Sequence, residues 1–348
     1  MICATSPNWI QLLLNQKRIF KQAEWQSMDK FAVGVDFGGT KIAAGVVNLK
    51  TGQLVGVAKK KTRLAHEQDD IVNRLFAVVD ESLQEAAISI EQVSGIGIGA
   101  AGMVDRDKGV ILAAVNLGAN NIFLTAPLQE HYKVPCRLAN DVEAATYAEL
   151  HFGAGRDCDS FVCIFVGTGI GSGIIDNGVI RLGASQTAGE VGHIVIVPDG
   201  RQCGCGGSGC LEAYASRTAI AREILADLQR GGDSVIRDKI DMSKGILRSK
   251  AIASAVEAGD QMVIRAVTEA ANYMGIGLAN VINFYNPKRL ILGGGLVEAL
   301  GLYFKTAECE ARRRALKIPA RTVEIVRAEL GDYAGIIGAA LLIDSVDK

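Results

Sequence analysis

The 348 residues predict an α/β protein of two lobes, each built on an open mixed sheet, facing a shared nucleotide cleft. Three observations carry that expectation. An apolar strand near the start runs into a glycine turn and then a second strand; the same grammar returns near the middle of the chain; and the element order, three strands and then alternating helices and strands, repeats with it. The length agrees, because domains usually span about 100–200 residues, and 49% hydrophobic side chains can fill two medium cores or one large one.

Residues 1–27 read as an appendage, since Met28 is followed at once by DKFAVGVDFGGTK, where the first strand pattern begins. An upstream start codon, a short surface helix and a contact arm are all open readings of it. The apolar run from Phe31 to Asp36 ends in Gly38-Gly39-Thr40 and continues as IAAGVVN, a strand. A P-loop would instead open a helix with G-x-x-x-x-G-K-[ST]. Here the glycines occupy a hairpin tip, and Thr51-Gly52 turns the chain again before QLVGVAKKK. Such a tip lets backbone N–H groups approach phosphate oxygens, with Thr40 and Lys41 adding a hydroxyl and a charge.

VPCRLANDVEAATYAEL predicts a strand followed by a helix that starts near Asn140-Asp141. Asp141 has two readings: a helix cap, with Glu143 adding to a favourable first turn, or a general base for phosphoryl transfer, held ionised by the helix N-terminus. FVCIFVGTGIGSGIIDNGVI then repeats strand, glycine turn and strand, with Gly167, Thr168 and Gly169 in the turn and Asn177-Gly178 closing the next one. A long apolar-periodic helix from about Gln261 to Tyr285 stops at Pro287. The strand after it feeds Gly293-Gly294-Gly295 and a further helix. That turn is either a resting place for a nucleotide's adenosine end or a plain strand-to-helix turn.

GHIVIVPDGRQCGCGGSGCLE places His193, Cys203, Cys205 and Cys210 in one glycine-rich stretch. One nitrogen and three sulfurs are the ligand set of a closed tetrahedral zinc site. Clustered thiols in a reducing compartment are a liability unless bound, and Cys203 and Cys205 are too close for an easy disulfide. The paired C-x-x-C knuckles and basic flanks of a nucleic-acid zinc ribbon are missing. Glu190 and Glu212 bracket the cluster, so an ion that pins the loop also pins both carboxylates.

Composition removes other classes. With 37 Lys+Arg against 38 Asp+Glu, the net charge of −1 provides no global positive field for nucleic acid or an anionic membrane. No apolar run approaches the ~20 residues of a membrane-spanning helix, and WIQLLL lacks the flanks of a signal peptide. Eight scattered cysteines are not a secreted disulfide scaffold, and the chain reads as cytoplasmic.

Taken together, DFGGTK, GIGIGAAGMVD, ND, GTGIGSG, AGEVGH and CGCGGSGCLEAYAS resemble the ROK family of bacterial sugar kinases and sugar-responsive repressors. The likeness runs from about Phe31 to the C-terminus. E-x-G-H with C-x-C-x4-C is its most specific part, and LGDYAGIIGAALL is similar to the family's closing helix. The resemblance implies an actin-like, ribonuclease H-like ATPase fold with the nucleotide and sugar between two lobes. Residues 28–141 would form the small lobe, completed by a C-terminal helix over 333–348, and residues 142–332 the large lobe with the zinc loop.

It also implies an ATP-dependent hexose kinase with a hexose and ATP as its ligands and a homodimeric state. Asp36, Gly38, Gly39, Thr40 and Lys41 would meet one phosphate region, Gly167, Thr168 and Gly169 another. Asp141 matches the catalytic base; Asn140, Glu190, His193 and Glu212 match sugar contacts; and His193, Cys203, Cys205 and Cys210 match the zinc ligands. Mg²⁺ follows from the chemistry of ATP, with Asp36 either holding it through water or serving as a turn carboxylate.

Two departures stand out: Ala101 replaces a proline frequent in the family, and VNLGANNIFLTAPL lacks a frequent tryptophan near the sugar, although Asn116 remains a candidate hydroxyl contact. Glucokinase is the leading expectation, a kinase for N-acetylmannosamine, N-acetylglucosamine or another hexose the alternative. A sugar-sensing repressor ranks below both, since residues 1–27 fall well short of a winged helix-turn-helix.

Overall fold

The computed structural model describes residues 30–39, 41–61, 68–114, 119–240 and 245–344. β1 (Phe31–Phe37) is apolar on both faces, as a central strand covered on two sides must be. Gly38 turns it back by donating its N–H to the Lys41 carbonyl (3.0 Å). The chain returns antiparallel as β2 (Lys41–Asn48) and then, past Gly52 at φ 73°, as β3 (Leu54–Lys61).

β4 (Val93–Ala100) lies parallel to β1. Beyond it, β5 (Met103–Asp105), β6 (Val110–Ala114) and β7 (Ala119–Phe123) form a separate three-stranded antiparallel sheet. β8 (Cys136–Asn140) then returns to pair parallel with β4, giving the order β3-β2-β1-β4-β8. Helices Gln68–Ala86 and Thr125–Tyr132 bury Ile71, Leu75, Val78, Val79 and Leu128 in the core on one face of this sheet.

The second half repeats the plan. β9 (Ser160–Val166), β10 (Ile170–Asp176) and β11 (Val179–Ile180) form an antiparallel meander, and β12 (Arg289–Gly293) and β13 (Glu324–Arg327) add parallel strands in the order β11-β10-β9-β12-β13. The repeat legible in the glycine turns is therefore a repeat of sheet topology. The turn at Asn177 (φ 52°) and Gly178 (φ 72°) is left-handed at both positions, as a two-residue hairpin requires.

The long helix spans Gln261–Tyr285, capped by Asp260, whose Oδ1 accepts from Met262 N (3.1 Å) and Val263 N (3.2 Å), and ended by the left-handed Asn286 before Pro287. It packs on helix Gly301–Arg314, where Gly275 leaves room for the Glu310 side chain.

Two helices join the halves. Helix Ala334–Leu341 lies against β1 and β4, where a methyl on Gly34 or Gly97 would overlap the carbonyl oxygens of Ile336 or Ala339. Helix Asp141–Phe152 crosses it so closely that a methyl on Gly338 would overlap the Ala144 carbonyl, while Val142 and Thr146 fill the space over Gly171 and Gly173 of β10. Glu149 on that helix is fully buried and accepts backbone N–H bonds from Ala154 (2.7 Å), Glu329 (3.1 Å) and Leu330 (3.0 Å), fixing the turn into the C-terminal helix. Among the described residues no helix is long and apolar enough to cross a membrane.

Candidate active site

The parallel strands β1, β4 and β8 end level with one another, Asp36 beside Gly99 and Ala100 beside Asn140. Open α/β sheets bind ligands beyond these carboxyl ends. Asp36 is half-buried, and its carboxyl is raised above the usual range: burial is the largest cause, Asp332 adds to it, and Lys41 and Lys59 oppose it. A methyl on Gly335, at the start of the closing helix, would stand 3.3 Å from the Asp36 carboxyl carbon.

Asn140, not Asp141, caps the next helix. Its Oδ1 accepts from Val142 N (2.9 Å) and Glu143 N (3.4 Å), and Glu143 Oε2 accepts from Asn140 N (3.2 Å) in a capping box. Asn140 Nδ2 donates to the Gly102 carbonyl (3.0 Å), which leaves one amide hydrogen for a ligand. Asp141, at the first helical position, takes Val142 N on Oδ1 (2.9 Å).

Backbone N–H groups do lower the Asp141 pKa as expected of a helix start, but burial and then the Asp36 charge outweigh them. The carboxyl is pushed up to about 6. Asp141 is thus ionised at neutral pH and close to the range where a base takes and returns a proton readily. Glu143 is raised by burial, lowered by its ion pair with Arg106, and raised by Glu190, whose field reaches this helix start.

The second hairpin is held from behind. Gly167 N donates to Gly169 O (2.9 Å), Arg217 N to Gly167 O (3.0 Å), and Thr218 Oγ1 to Thr168 O (2.7 Å). Glu212 Oε2 accepts from Ile170 N (2.8 Å), and its carboxylate leans over Gly169. Gly294, at φ 87°, lies so close to the end of β9 that a methyl there would stand 2.6 Å from Val166 O, and one on Gly293 would stand 2.8 Å from Phe165 and from Ala328. The third glycine turn therefore adjoins the second.

The ligand atoms of His193, Cys203, Cys205 and Cys210 all lie within 4.8 Å of one another, the one such group among the described residues. His193 Nδ1 is 3.7 Å from Cys203 Sγ, and Cys205 Sγ is 3.8 Å from Cys210 Sγ. Zinc bonds of about 2.3 Å to sulfur and 2.0 Å to nitrogen give tetrahedral edges of roughly 3.5–3.8 Å, so the donor set fits Zn²⁺. The Gly207 N–H holds the Cys205 thiol below its ordinary value, which favours the ligating thiolate. His193 Nε2 faces away to Glu190 (3.9 Å), and Cys203 Sγ faces Glu212 Oε1 (3.8 Å).

Asp36, Asp141, both hairpin turns, the third glycine turn and the His/Cys loop thus surround one region. Thr40 and Asn116, like residues 1–27, lie outside the described residues. Glu212 is turned to the hairpin as a strut. Lys59, Asp332, Arg106 and Arg217 were not anticipated; the three lysines that end β3, in register with Lys41–Ala43, were the available signal for Lys59.

The model of the ROK family matches residues 32–346. The chain is 34% identical to a glucokinase of Halalkalibacterium halodurans over 317 residues, 90% of this chain and 95% of that one. The chain belongs to the ROK family. A solved ROK family glucokinase from Streptomyces griseus, in complex with glucose and AMPPNP, is 35% identical with a TM-score of 0.78 and covers 90% of this chain and 98% of that one. ROK membership also brings regulators: a putative xylose repressor of Caldicellulosiruptor is 28% identical over 90% of this chain and 78% of its own length. The ROK match includes both glycine hairpins, Asp141 and the His/Cys loop, in the actin-like ATPase fold of these neighbours.

Proposed function

We propose that the chain is an ATP-dependent glucokinase, making glucose 6-phosphate and ADP from glucose and ATP. The observation that carries this reading is Asp141: a half-buried carboxylate raised to about 6 and coupled to the Asp36 charge, at the start of a helix whose next residue, Val142, packs over Gly171 of the second hairpin. Asp141 accepts the proton of the sugar's 6-hydroxyl as the γ-phosphoryl group arrives in line. Gly38, Gly39, Thr40 and Lys41 meet the phosphates from one lobe, Gly167, Thr168 and Gly169 from the other, and Gly293 and Gly294 carry the adenosine end.

Mg²⁺ bound with ATP neutralises the β- and γ-phosphates, and Asp36 would hold it through water. His193, Cys203, Cys205 and Cys210 would hold a structural Zn²⁺, which keeps the imidazole and Glu190 oriented toward sugar hydroxyls alongside Asn116, Asn140 and Glu212. The lobes follow the limits 28–141 with 333–348, and 142–332. A cytoplasmic homodimer completes the reading; Phe284, 93% exposed at the end of the long helix, supplies apolar surface for the partner.

The test is ADP release with Mg-ATP against glucose, mannose, fructose, N-acetylglucosamine and N-acetylmannosamine, compared as kcat/KM. A preference for glucose is expected. Preference for an N-acetyl sugar keeps the mechanism and changes the substrate, and no turnover on any of them would overturn the kinase reading. The similarity to the xylose repressor favours a sugar-sensing repressor as the second reading; a specific, salt-sensitive DNA complex is its signature.

A further inference from the structure

Arg217 opens the 13-residue helix Arg217–Gln229 directly behind the second glycine hairpin. Its Nη2 donates to Thr168 Oγ1 at 2.6 Å, and its backbone N–H to the Gly167 carbonyl at 3.0 Å. The side chain is half-buried, yet no carboxylate among the described residues pairs with it; burial alone lowers its pKa, with no opposing charge to restore it. Three other half-buried arginines, Arg106, Arg201 and Arg289, each sit against glutamate or aspartate, whereas Arg74, on the helix Gln68–Ala86, shares with Arg217 the lack of a carboxylate partner among the described residues.

A guanidinium is only a donor, so Thr168 Oγ1 must accept from it. The hydroxyl proton of Thr168 is thereby directed elsewhere, and Thr168 is exposed at the hairpin tip. A partly desolvated cation without a counter-charge, coupled to a hydroxyl set as a donor, is an arrangement completed by an anion.

We propose that Arg217 is a phosphate-recognition residue for the nucleotide, supplying positive charge to the phosphate chain at the second hairpin and orienting the Thr168 hydroxyl as a donor to the same group. This rests on the kinase reading for the identity of the anion and goes beyond it in assigning a residue that none of the glycine motifs contains.

The test is calorimetric binding of ADP and of adenosine to the full-length wild type, Arg217→Met, Arg217→Lys and Thr168→Val, with KM for Mg-ATP and for glucose measured in parallel. Losing a charge-assisted hydrogen bond together with an aligned donor predicts about 10- to 100-fold weaker ADP binding in Arg217→Met. Adenosine binding and KM for glucose should change less than about twofold, since Arg217 addresses phosphate alone. Arg217→Lys is expected to recover part of the loss, because it keeps charge without the planar fork.

Equal weakening of ADP and adenosine would assign Arg217 to holding the helix in place and overturn the proposal, as would unchanged ADP binding in an active Arg217→Met enzyme. A wild type that turns over no sugar but binds ADP in an Arg217-dependent manner would retire the kinase reading and leave the phosphate site standing. Absence of ADP binding in the wild type would overturn both.

Discussion

Replacing Asp141 with asparagine should move activity and stability in opposite directions. The carboxyl is raised to about 6 from 3.8, by burial first and by Asp36 second. A carboxyl with a higher pKa in the folded chain than in the unfolded chain is preferred there in its protonated form. Its charge therefore costs nothing below the unfolded value, an increasing amount as pH rises from about 4 to about 6, and a constant amount above that.

A gap of about 2 pH units at ~1.4 kcal/mol each sets that cost at no more than about 3 kcal/mol. Asparagine offers the same oxygen to Val142 N with no charge to bury. Asp141→Asn is therefore expected to be about 1–3 kcal/mol more stable than the wild type at pH 7.5, with most of the gain gone near pH 4. Its kcat should be lower by about 100-fold or more, the usual contribution of a positioned base. Urea unfolding followed by far-ultraviolet circular dichroism at pH 4.5 and 7.5, with ADP release as the activity assay, measures both. A variant less stable than the wild type at pH 7.5, or stabilised equally at both values, would refute the burial argument; near-normal kcat would refute the base.

Three further outcomes are expected. In the wild type, kcat/KM for sugar should fall as pH drops through about 6, because the base must be ionised to act; a profile flat down to pH 5 contradicts this. The wild type is expected to carry one zinc per chain by elemental analysis and Cys205→Ser to lose it together with sugar affinity, whereas one full zinc per chain in the variant would remove Cys205 from the ligand set. Gly97→Ala places a methyl against the Ala339 carbonyl and should cost about 1–3 kcal/mol or more in urea unfolding. Gly204→Ala, with no heavy atom within 4 Å of the added methyl, should be nearly neutral, and equal effects at the two sites would discount the close approach.

Much of this arrangement was written in local sequence. Both hairpins announce themselves by an apolar run, a glycine tip and a second strand, and the His/Cys loop by its spacing, because each is closed by bonds between near neighbours. The long helix is likewise local, with Asp260 capping one end and Asn286-Pro287 ending the other. The small sheet β5-β6-β7 has no comparable signal, as its strands are 3 to 5 residues long. Lys59 and Asp332 reach Asp36 only through strand pairing and a crossover from the far end of the chain, and Arg217 reaches Thr168 across 49 positions. The net rise of the Asp141 carboxyl is hidden from the sequence for the same reason: the helix start that lowers it is local, whereas the burial and the Asp36 charge that outweigh it are tertiary, Asp36 lying about a hundred positions upstream.

The crossing of the two joining helices has a consequence for how this molecule tolerates change. Ala144 meets Gly338 main chain to main chain, three residues beyond Asp141 on one helix and three beyond Gly335, where an added methyl would lie against the Asp36 carboxyl, on the other. No side chain serves as a spacer there, so the separation of the two carboxylates is gauged by backbone dimensions, which mutation does not alter. Loops that select the sugar are free to diverge around a reaction centre whose ruler has no adjustable parts.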